Sequence, residues 1–210
     1  MIKVLIADDH AIVRKGLRQI VSETSDIIVA GEAGTGQEVL DGVRANDYDV
    51  VILDISMPGG DGLNLLKILK KEKPRLPVLV LSVHPEDQYA VRALRAGAAG
   101  YLTKESAPEE LITAIRRVSN GRKYVSSLLA EKLAFHLESN TEIKLHEKLS
   151  DREYQVLCML AAGKPVKEIS HELSLSVKTV STYRARILVK MRLKNNAELT
   201  HYAIKHGLVE

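Results

Sequence analysis

The sequence predicts a doubly wound α/β domain followed by a small, all-helical domain. In the first 120 residues short apolar strands alternate five times with helical patterns, whereas the pattern from Leu149 onward is helical throughout. Charge divides the chain in the same way. Residues 1–120 carry 15 Lys and Arg against 17 Asp and Glu, and residues 149–210 carry 10 against 6. This asymmetry suggests two domains with different partners, the second partner being nucleic acid.

Five strands and five helices are predicted for the first domain. Near-continuous apolar strands are typical of a parallel sheet that helices cover on both faces, and strand–helix alternation implies right-handed crossovers. The predicted strands are Lys3–Ala7, Ile27–Ala30, Val50–Leu53, Val78–Ser82 and Gly100–Thr103. The predicted helices are Ala11–Ser22, Gln37–Ala45, Gly62–Lys71, Asp87–Ala96 and Pro108–Ser119.

Composition places the chain among soluble intracellular proteins. Hydrophobic residues make up 45% and charged residues 27%, which suits a globular core. The single cysteine, Cys158, allows no internal disulfide, as expected in a reducing compartment. The N-terminal apolar run is too short for a signal peptide, and no run approaches the length of a membrane span. We therefore expect a cytoplasmic location.

Three segments are predicted along the chain. Residues 1–121 form the α/β domain, residues 122–148 a connecting helix and a flexible linker, and residues 149–210 the helical domain. Within the linker, Tyr124–Leu137 has a helical pattern, and the polar residues 138–148 show no core pattern.

Chemically capable side chains stand at four of the strand ends. Asp8 and Asp9 follow the first strand, Asp54 ends the third, Ser82 ends the fourth and Lys104 follows the fifth. In an open parallel sheet these ends meet at one edge, where ligands bind. Three converging carboxylates repel one another unless a hard cation lies among them, and Mg²⁺ prefers such oxygen ligands. An acidic pair alone is more often a turn or a helix cap; the conjunction favours a site.

Asp54 is the predicted nucleophile of this site. The ammonium of Lys104 and the hydroxyl of Ser82 would stabilise a phosphoryl group transferred to it. The glycine-rich loop after it, Pro58-Gly59-Gly60, would leave the neighbouring space open, and the Ser56 carbonyl could supply a further metal ligand.

The first domain resembles the receiver domain of two-component response regulators. The matching features are the acidic pair, the stretch LDISMPGGDG, the Ser82 position and GYLTK, which ends at Lys104. The resemblance implies a flavodoxin-like 2-1-3-4-5 sheet and phosphorylation of Asp54 by a histidine kinase. It also implies Mg²⁺ bound by Asp9, Asp54 and the Ser56 carbonyl, with Asp8 helping directly or through water.

The same resemblance implies a switch. Ser82 would follow the phosphoryl group while the ring of Tyr101 turns inward. The surface of the fourth helix, fifth strand and fifth helix, or the surface near the first helix, would then change.

The second domain carries the pattern of a helix-turn-helix. Ser150 and Glu153 form a capping box, and Val166–Leu173 and Val177–Met191 form two helices, with Ser176 capping the second. Val180, Ile187 and Met191 fall on one face of that last helix at 3.6 residues per turn. The opposite face carries short and polar side chains with basic residues at its edge, which suits entry into a DNA major groove.

This domain resembles the NarL/LuxR-type DNA-binding domain over Leu149–Glu210. The matching motifs are LSDREYQVLCMLAAGKPVKEIS, SVKTVSTYRARILVKM and the closing KHGLV. The family commonly has Lys where Ser181 stands and His where Tyr183 stands. By resemblance, the last helix, Ala197–His206, pairs the domain with a second copy. The predicted DNA-contacting residues are Lys178, Thr179, Ser181, Thr182, Arg184, Ala185, Arg186 and Lys190.

We therefore expect a two-domain response regulator of the NarL/FixJ type that is phosphorylated on Asp54 and binds DNA as a homodimer. It would not be an enzyme beyond its own Mg²⁺-dependent phosphorylation from a phosphodonor. A Mg²⁺-dependent phosphohydrolase is one alternative, although Ser56 stands where its second carboxylate would be needed. The other is a DNA-binding regulator that needs no phosphorylation and uses its receiver only to dimerise.

Overall fold

The computed structural model describes residues 1–57, 62–83, 86–127, 129–131 and 145–209. The predicted loop Pro58-Gly59-Gly60 lies outside these ranges, as do residue 128 and residues 132–144 of the predicted linker. The chain divides into two compact units, Met1–Glu138 and Ser139–Glu210. Among the described residues, no helix combines the length and the apolar character that crossing a membrane requires.

The N-terminal unit contains a five-stranded, all-parallel sheet in the order β2-β1-β3-β4-β5. This order is the predicted flavodoxin-like 2-1-3-4-5 arrangement, so the fold class is confirmed. The strands are β1 (Ile2–Ala7), β2 (Ile27–Ala33), β3 (Val50–Asp54), β4 (Val78–Ser82) and β5 (Gly100–Thr103).

Helices cover both faces of the sheet. One side carries α1 packed beside α5, and α3 packs between α2 and α4. All five residues of β3 and of β4 are buried, which explains why these strands are almost wholly apolar in sequence. The helices are α1 (Ala11–Ser22), α2 (Gly36–Ala45), α3 (Gly62–Glu72), α4 (Glu86–Arg95) and α5 (Ala107–Ser119).

The predicted linker helix begins later than its sequence pattern indicates. Tyr124 is extended and forms a parallel β-bridge with Gly100. Helical structure begins at Ser127, and 129–131 are also helical. The Ser126 hydroxyl accepts a hydrogen bond from the Leu129 N–H at 3.1 Å, so Ser126 caps this helix. The pairing of Tyr124 with the sheet therefore overrides its local helical preference.

Within residues 145–209, the C-terminal unit contains four helices, preceded by a 3₁₀ turn at Leu145–Lys148. They are α6 (Asp151–Ala161), α7 (Val166–Glu172), α8 (Val177–Met191) and α9 (Asn196–Lys205). The predicted capping box at α6 is present: the Ser150 N–H donates to Glu153 Oε2 at 2.8 Å, and the Glu153 N–H donates to Ser150 Oγ. Ser176 caps α8 as predicted, accepting from the Thr179 N–H at 3.0 Å.

Helices α7 and α8 form the predicted helix-turn-helix. Ser174 turns the chain between them in the left-handed region, with φ of 51°. The Leu175 N–H donates to the Ser170 carbonyl at 2.8 Å, which closes the end of α7. Helix α8 buries Val180, Ile187 and Met191, the face predicted from its periodicity, and it packs on α6 and α7. Its opposite face therefore remains exposed.

Candidate functional site

The carboxyl edge of the sheet brings the predicted acidic residues and the lysine together. Asp8 and Asp54 are fully buried. Lys104 Nζ lies 2.6 Å from Asp8 Oδ2 and 2.7 Å from Asp54 Oδ2, so one ammonium bridges two strand ends that are far apart in sequence. The parallel topology produces this convergence, because β1, β3 and β5 all end at this edge.

Two donors hold the Asp54 carboxylate. Its Oδ1 accepts from the Ser56 N–H at 2.7 Å, and its Oδ2 accepts from the Lys104 ammonium. Burial nevertheless raises the pKa of Asp54, and the Asp8 charge adds to the rise; the bonds from Lys104 and Ser56 offset only part of it. The fixed carboxylate thus carries negative charge that its neighbours do not fully compensate.

Lys104 stays charged in this setting. Burial lowers the pKa of its ammonium, but hydrogen bonds and charge attraction from Asp54 and Asp8 outweigh burial, so the pKa is raised. A permanent cation beside Asp54 can stabilise an incoming anionic group such as phosphoryl.

A possible metal site lies at this edge. Four side chains each offer one ligand atom, and these atoms all lie within 4.8 Å of one another: those of Asp8, Asp9, His10 and Asp54. The buried Asp9 Oδ1 lies 3.0 Å from His10 Nδ1 but has no hydrogen-bond partner among the described residues. Three carboxylates facing one ammonium leave an excess of negative charge, and hard divalent cations bind such oxygens. The residues therefore fit a metal ion.

His10 was not among the residues predicted for this site. Its backbone N–H donates to Asp8 Oδ1 at 2.8 Å, and its ring lies 3.3 Å from the same oxygen. The only sequence signal was its position directly after the acidic pair, where the chain turns into α1.

Ser82 and Tyr101, the predicted switch pair, are both buried in the sheet. Ser82 is fully buried, pairs in register with Thr103, and accepts a hydrogen bond from the Lys104 N–H at its carbonyl, at 2.7 Å. Tyr101 is also fully buried, so its ring points inward here. Their part in switching stays a prediction, as does metal binding by the Ser56 carbonyl.

The exposed face of α8 carries most of the predicted DNA-contacting residues. Lys178, Thr179, Thr182 and Arg186 line a shallow depression of about 270 Å³ together with Tyr183. Exposed on the same helix are Ser181 and Ala185. Short side chains next to two cations allow a helix to approach base edges while the cations reach phosphate or guanine.

Two of the predicted contacts are already engaged within the domain. Lys190 Nζ lies 2.6 Å from Oε2 of Glu153, whose side chain is 3% exposed. The Arg184 guanidinium donates to Asn196 Oδ1 on α9 at 2.7 Å. The structure thus separates Lys190 and Arg184 from the exposed face that Lys178 and Arg186 share.

Comparisons with known proteins assign a family to each domain. Residues 4–116 match the response regulator receiver domain, and residues 147–203 match the luxR family of bacterial regulatory proteins. Response regulator UvrY of Escherichia coli K12 is 41% identical over 209 residues, covering 99% of this chain and 96% of UvrY. Response regulator GacA of Pseudomonas aeruginosa is 39% identical over 211 residues, covering 100% and 99%.

A solved structure extends the likeness over both domains. RcsB of Salmonella enterica serovar Typhimurium, bound to promoter P1flhDC in the presence of the phosphomimetic BeF₃⁻, is 30% identical. The structural match covers 96% of this chain and 97% of the RcsB chain, with a TM-score of 0.67. The chain therefore belongs to the two-component response regulators of the NarL/FixJ type, with a receiver domain and a LuxR-type helix-turn-helix domain, and it regulates transcription by binding DNA.

Proposed function

We propose that the chain accepts a phosphoryl group on Asp54 from a partner histidine kinase, and that phosphorylation controls dimerisation and sequence-specific DNA binding. The observation that carries this proposal is the buried Asp54 carboxylate, with Lys104 at 2.7 Å and the acidic pair beside it. Attack by an Asp54 oxygen forms the new P–O bond while the N–P bond of the kinase phosphohistidine breaks. The imidazole nitrogen keeps the electron pair of that bond.

The residues of the site have separate tasks. The Ser56 N–H fixes one Asp54 oxygen, and the Lys104 ammonium faces the other, where phosphoryl charge would develop. Asp8, Asp9 and Asp54, with the Ser56 carbonyl, would hold Mg²⁺. When bound, that ion would neutralise phosphoryl oxygens and screen the carboxylates from one another. The Ser82 hydroxyl would then follow the phosphoryl group, and the Tyr101 ring would occupy the buried position it has here.

The chain acts as an acceptor rather than as an enzyme that turns over an external substrate. A phosphohydrolase that used Asp54 would need a second carboxylate as general acid, and Ser56 stands two residues after the nucleophile instead. Steady turnover of a phosphate ester would contradict this part of the proposal.

DNA binding rests on the exposed face of α8. RcsB has been solved as a DNA complex and as two dimers bound to two parallel DNAs, and it covers 96% of this chain. We infer that this chain also binds DNA as a homodimer in the cytoplasm, with Lys178, Thr179, Ser181, Thr182, Ala185 and Arg186 facing the groove. Lys190 and Arg184 would contact DNA only after leaving Glu153 and Asn196.

Intact mass tests the phosphorylation step. The purified chain is incubated with acetyl phosphate, with and without Mg²⁺, beside the Asp54→Asn variant. We expect one added phosphoryl group that requires both Mg²⁺ and Asp54. An adduct of equal extent on Asp54→Asn would show that the acceptor lies elsewhere. No adduct, with DNA affinity unchanged by a phosphodonor, would favour the regulator that needs no phosphorylation.

A further inference from the structure

The first residues after α5 run along the open edge of the sheet instead of leaving the domain. The Tyr124 N–H donates to the Ala99 carbonyl at 2.9 Å, and Tyr124 bridges Gly100, the first residue of β5. Tyr124 is 7% exposed and packs in the core cluster that contains Leu102 and Leu111. Lys123 also donates to the Ala98 carbonyl. We call Lys123–Ser126 the strap.

Gly100 makes this close approach possible. A Cβ atom added at Gly100 would lie 2.7 Å from the Tyr124 carbonyl oxygen and 2.9 Å from its Cβ, so the strap backbone would have to move. The β5 strand therefore carries the strap at one end, while Lys104 follows directly after its other end. The four residues of β5 connect the strap to Lys104.

The strap also joins α4 and α5. The Ser126 hydroxyl donates to Glu86, the first residue of α4, and accepts from the Leu129 N–H at 3.1 Å. A single hydroxyl thus starts the linker helix and ties it to α4. Burial, and next the Glu110 carboxylate on α5, raise the pKa of Tyr124 to about 12, so the phenol stays neutral between the two helices.

We propose that the strap is the device that couples the phosphorylation site to the linker: phosphorylation of Asp54 moves β5 and the start of α4, which releases Ser126 from Glu86 and frees the linker helix. This proposal rests on the proposed function. Two short routes connect the phosphorylation site to the strap. One runs along β5 from Lys104 to Gly100, and the other runs along the chain from Ser82 to Glu86, four residues later. Coupling of this kind requires an element with two discrete arrangements, and the tied and released strap are the two arrangements proposed.

Amide hydrogen exchange on the full-length chain measures the release directly. The peptide 123–131 contains the hydrogen-bonded amides of Tyr124, Leu129 and Ala130. We expect these amides to exchange about tenfold faster after phosphorylation with acetyl phosphate and Mg²⁺, because a bond to a charged acceptor is lost. The intact mass of the same sample reports the extent of phosphorylation.

Glu86→Ala separates the tie to α4 from the helix cap, because Ser126 can still cap the helix without Glu86. We expect exchange of 123–131 to be about tenfold faster before phosphorylation and not to rise further after it. Phosphorylation itself should be unchanged. The matched control is Glu109→Ala, which removes an exposed glutamate from the first turn of α5 and should behave as the unmodified chain.

The outcomes distinguish this inference from the proposed function. A phosphoryl adduct with unchanged exchange of 123–131 would overturn the strap and leave the acceptor role of Asp54 intact. Equal exchange of 123–131 in Glu86→Ala and Glu109→Ala would also overturn the strap proposal. If no adduct forms on the unmodified chain and a phosphodonor leaves its DNA affinity unchanged, the proposed function fails, and the strap proposal fails with it.

Discussion

Asp54 in the receiver and Glu153 in the DNA-binding domain are both buried carboxylates that accept from a lysine ammonium, at 2.7 and 2.6 Å. Their pKa values nevertheless move in opposite directions. For Asp54, burial and the Asp8 charge outweigh its donors, so the pKa rises. Burial acts on Glu153 as well, but Lys190 and the Ser150 N–H and hydroxyl together outweigh it, so the pKa falls.

The difference shows that a buried carboxylate–lysine pair does not by itself mark a reactive site. Lys104 must serve both Asp8 and Asp54, which leaves uncompensated negative charge that a divalent cation can neutralise. Among the described residues, Lys190 pairs with Glu153, and that carboxylate also closes the capping box of α6. The first pair is the proposed phosphoacceptor site, and the second joins α8 to α6.

Removing the shared lysine should have the largest effect. Lys104→Met takes away the only ammonium in contact with Asp54 in the described part of the chain. We expect the rate of phosphorylation by acetyl phosphate to fall by about a hundredfold, the usual loss on removing one charge-stabilising donor. A time course of intact mass measures this rate. Lys190→Met is the matched control and should be phosphorylated at the normal rate; equal slowing in both variants would show that Lys104 has no special role in the reaction.

Removing the second lysine should affect stability instead. Lys190→Met leaves the Glu153 carboxylate buried without its cation, but Lys190 is 44% exposed, so solvent moderates the loss. We expect the free energy of unfolding of the DNA-binding domain to fall by about 1–2 kcal/mol. Denaturant unfolding followed by circular dichroism measures it. Lys167→Met, on the exposed side of α7, should change stability little; an equal loss there would remove the special role of Lys190.

Acid should weaken the Glu153–Lys190 pair. The folded pKa of Glu153 lies below its ordinary value of 4.5, so the carboxylate contributes stability above that pH and loses it as pH falls through the folded pKa. We therefore expect the stability advantage of the unmodified chain over Glu153→Gln to be largest near neutral pH and to shrink below about 4.5. Thermal unfolding at a series of pH values tests this. A difference that grows toward acid would contradict the assigned pairing.

Much of the fold could be read from local pattern because the sheet is buried on both faces. Apolar runs gave β3, β4 and β5 nearly to the residue, and the parallel topology then placed Asp8, Asp54 and Lys104 at one edge. Strand β2 was predicted to stop at Ala30, yet it continues to Ala33. The register shifts between Val4 and Leu5, and Gly31 then pairs with Leu5, so tertiary pairing extends a strand whose composition turns polar.

The contacts that distinguish the two carboxylates could not be predicted in this way. The capping box at Ser150 and Glu153 is a local motif and was found, but Lys190 lies 37 residues further along and meets Glu153 only through helix packing. Lys190 was accordingly predicted to contact DNA. The strap escaped prediction for the same reason, since it depends on how Tyr124 approaches β5. His10 was missed for a different reason: its contacts with Asp8 and Asp9 are local, but no sequence pattern marks its ring as part of the site.

If phosphorylation of Asp54 controls DNA binding, the affinity of the chain for DNA must differ before and after phosphorylation. A duplex selected from a random-sequence pool would be titrated at fixed salt, with the unmodified chain and Asp54→Asn, each with and without acetyl phosphate and Mg²⁺. We expect affinity at least about fivefold tighter for the phosphorylated chain, the lower end of common coupling factors, and no change for Asp54→Asn. Equal affinity of the phosphorylated and unphosphorylated chain would contradict it.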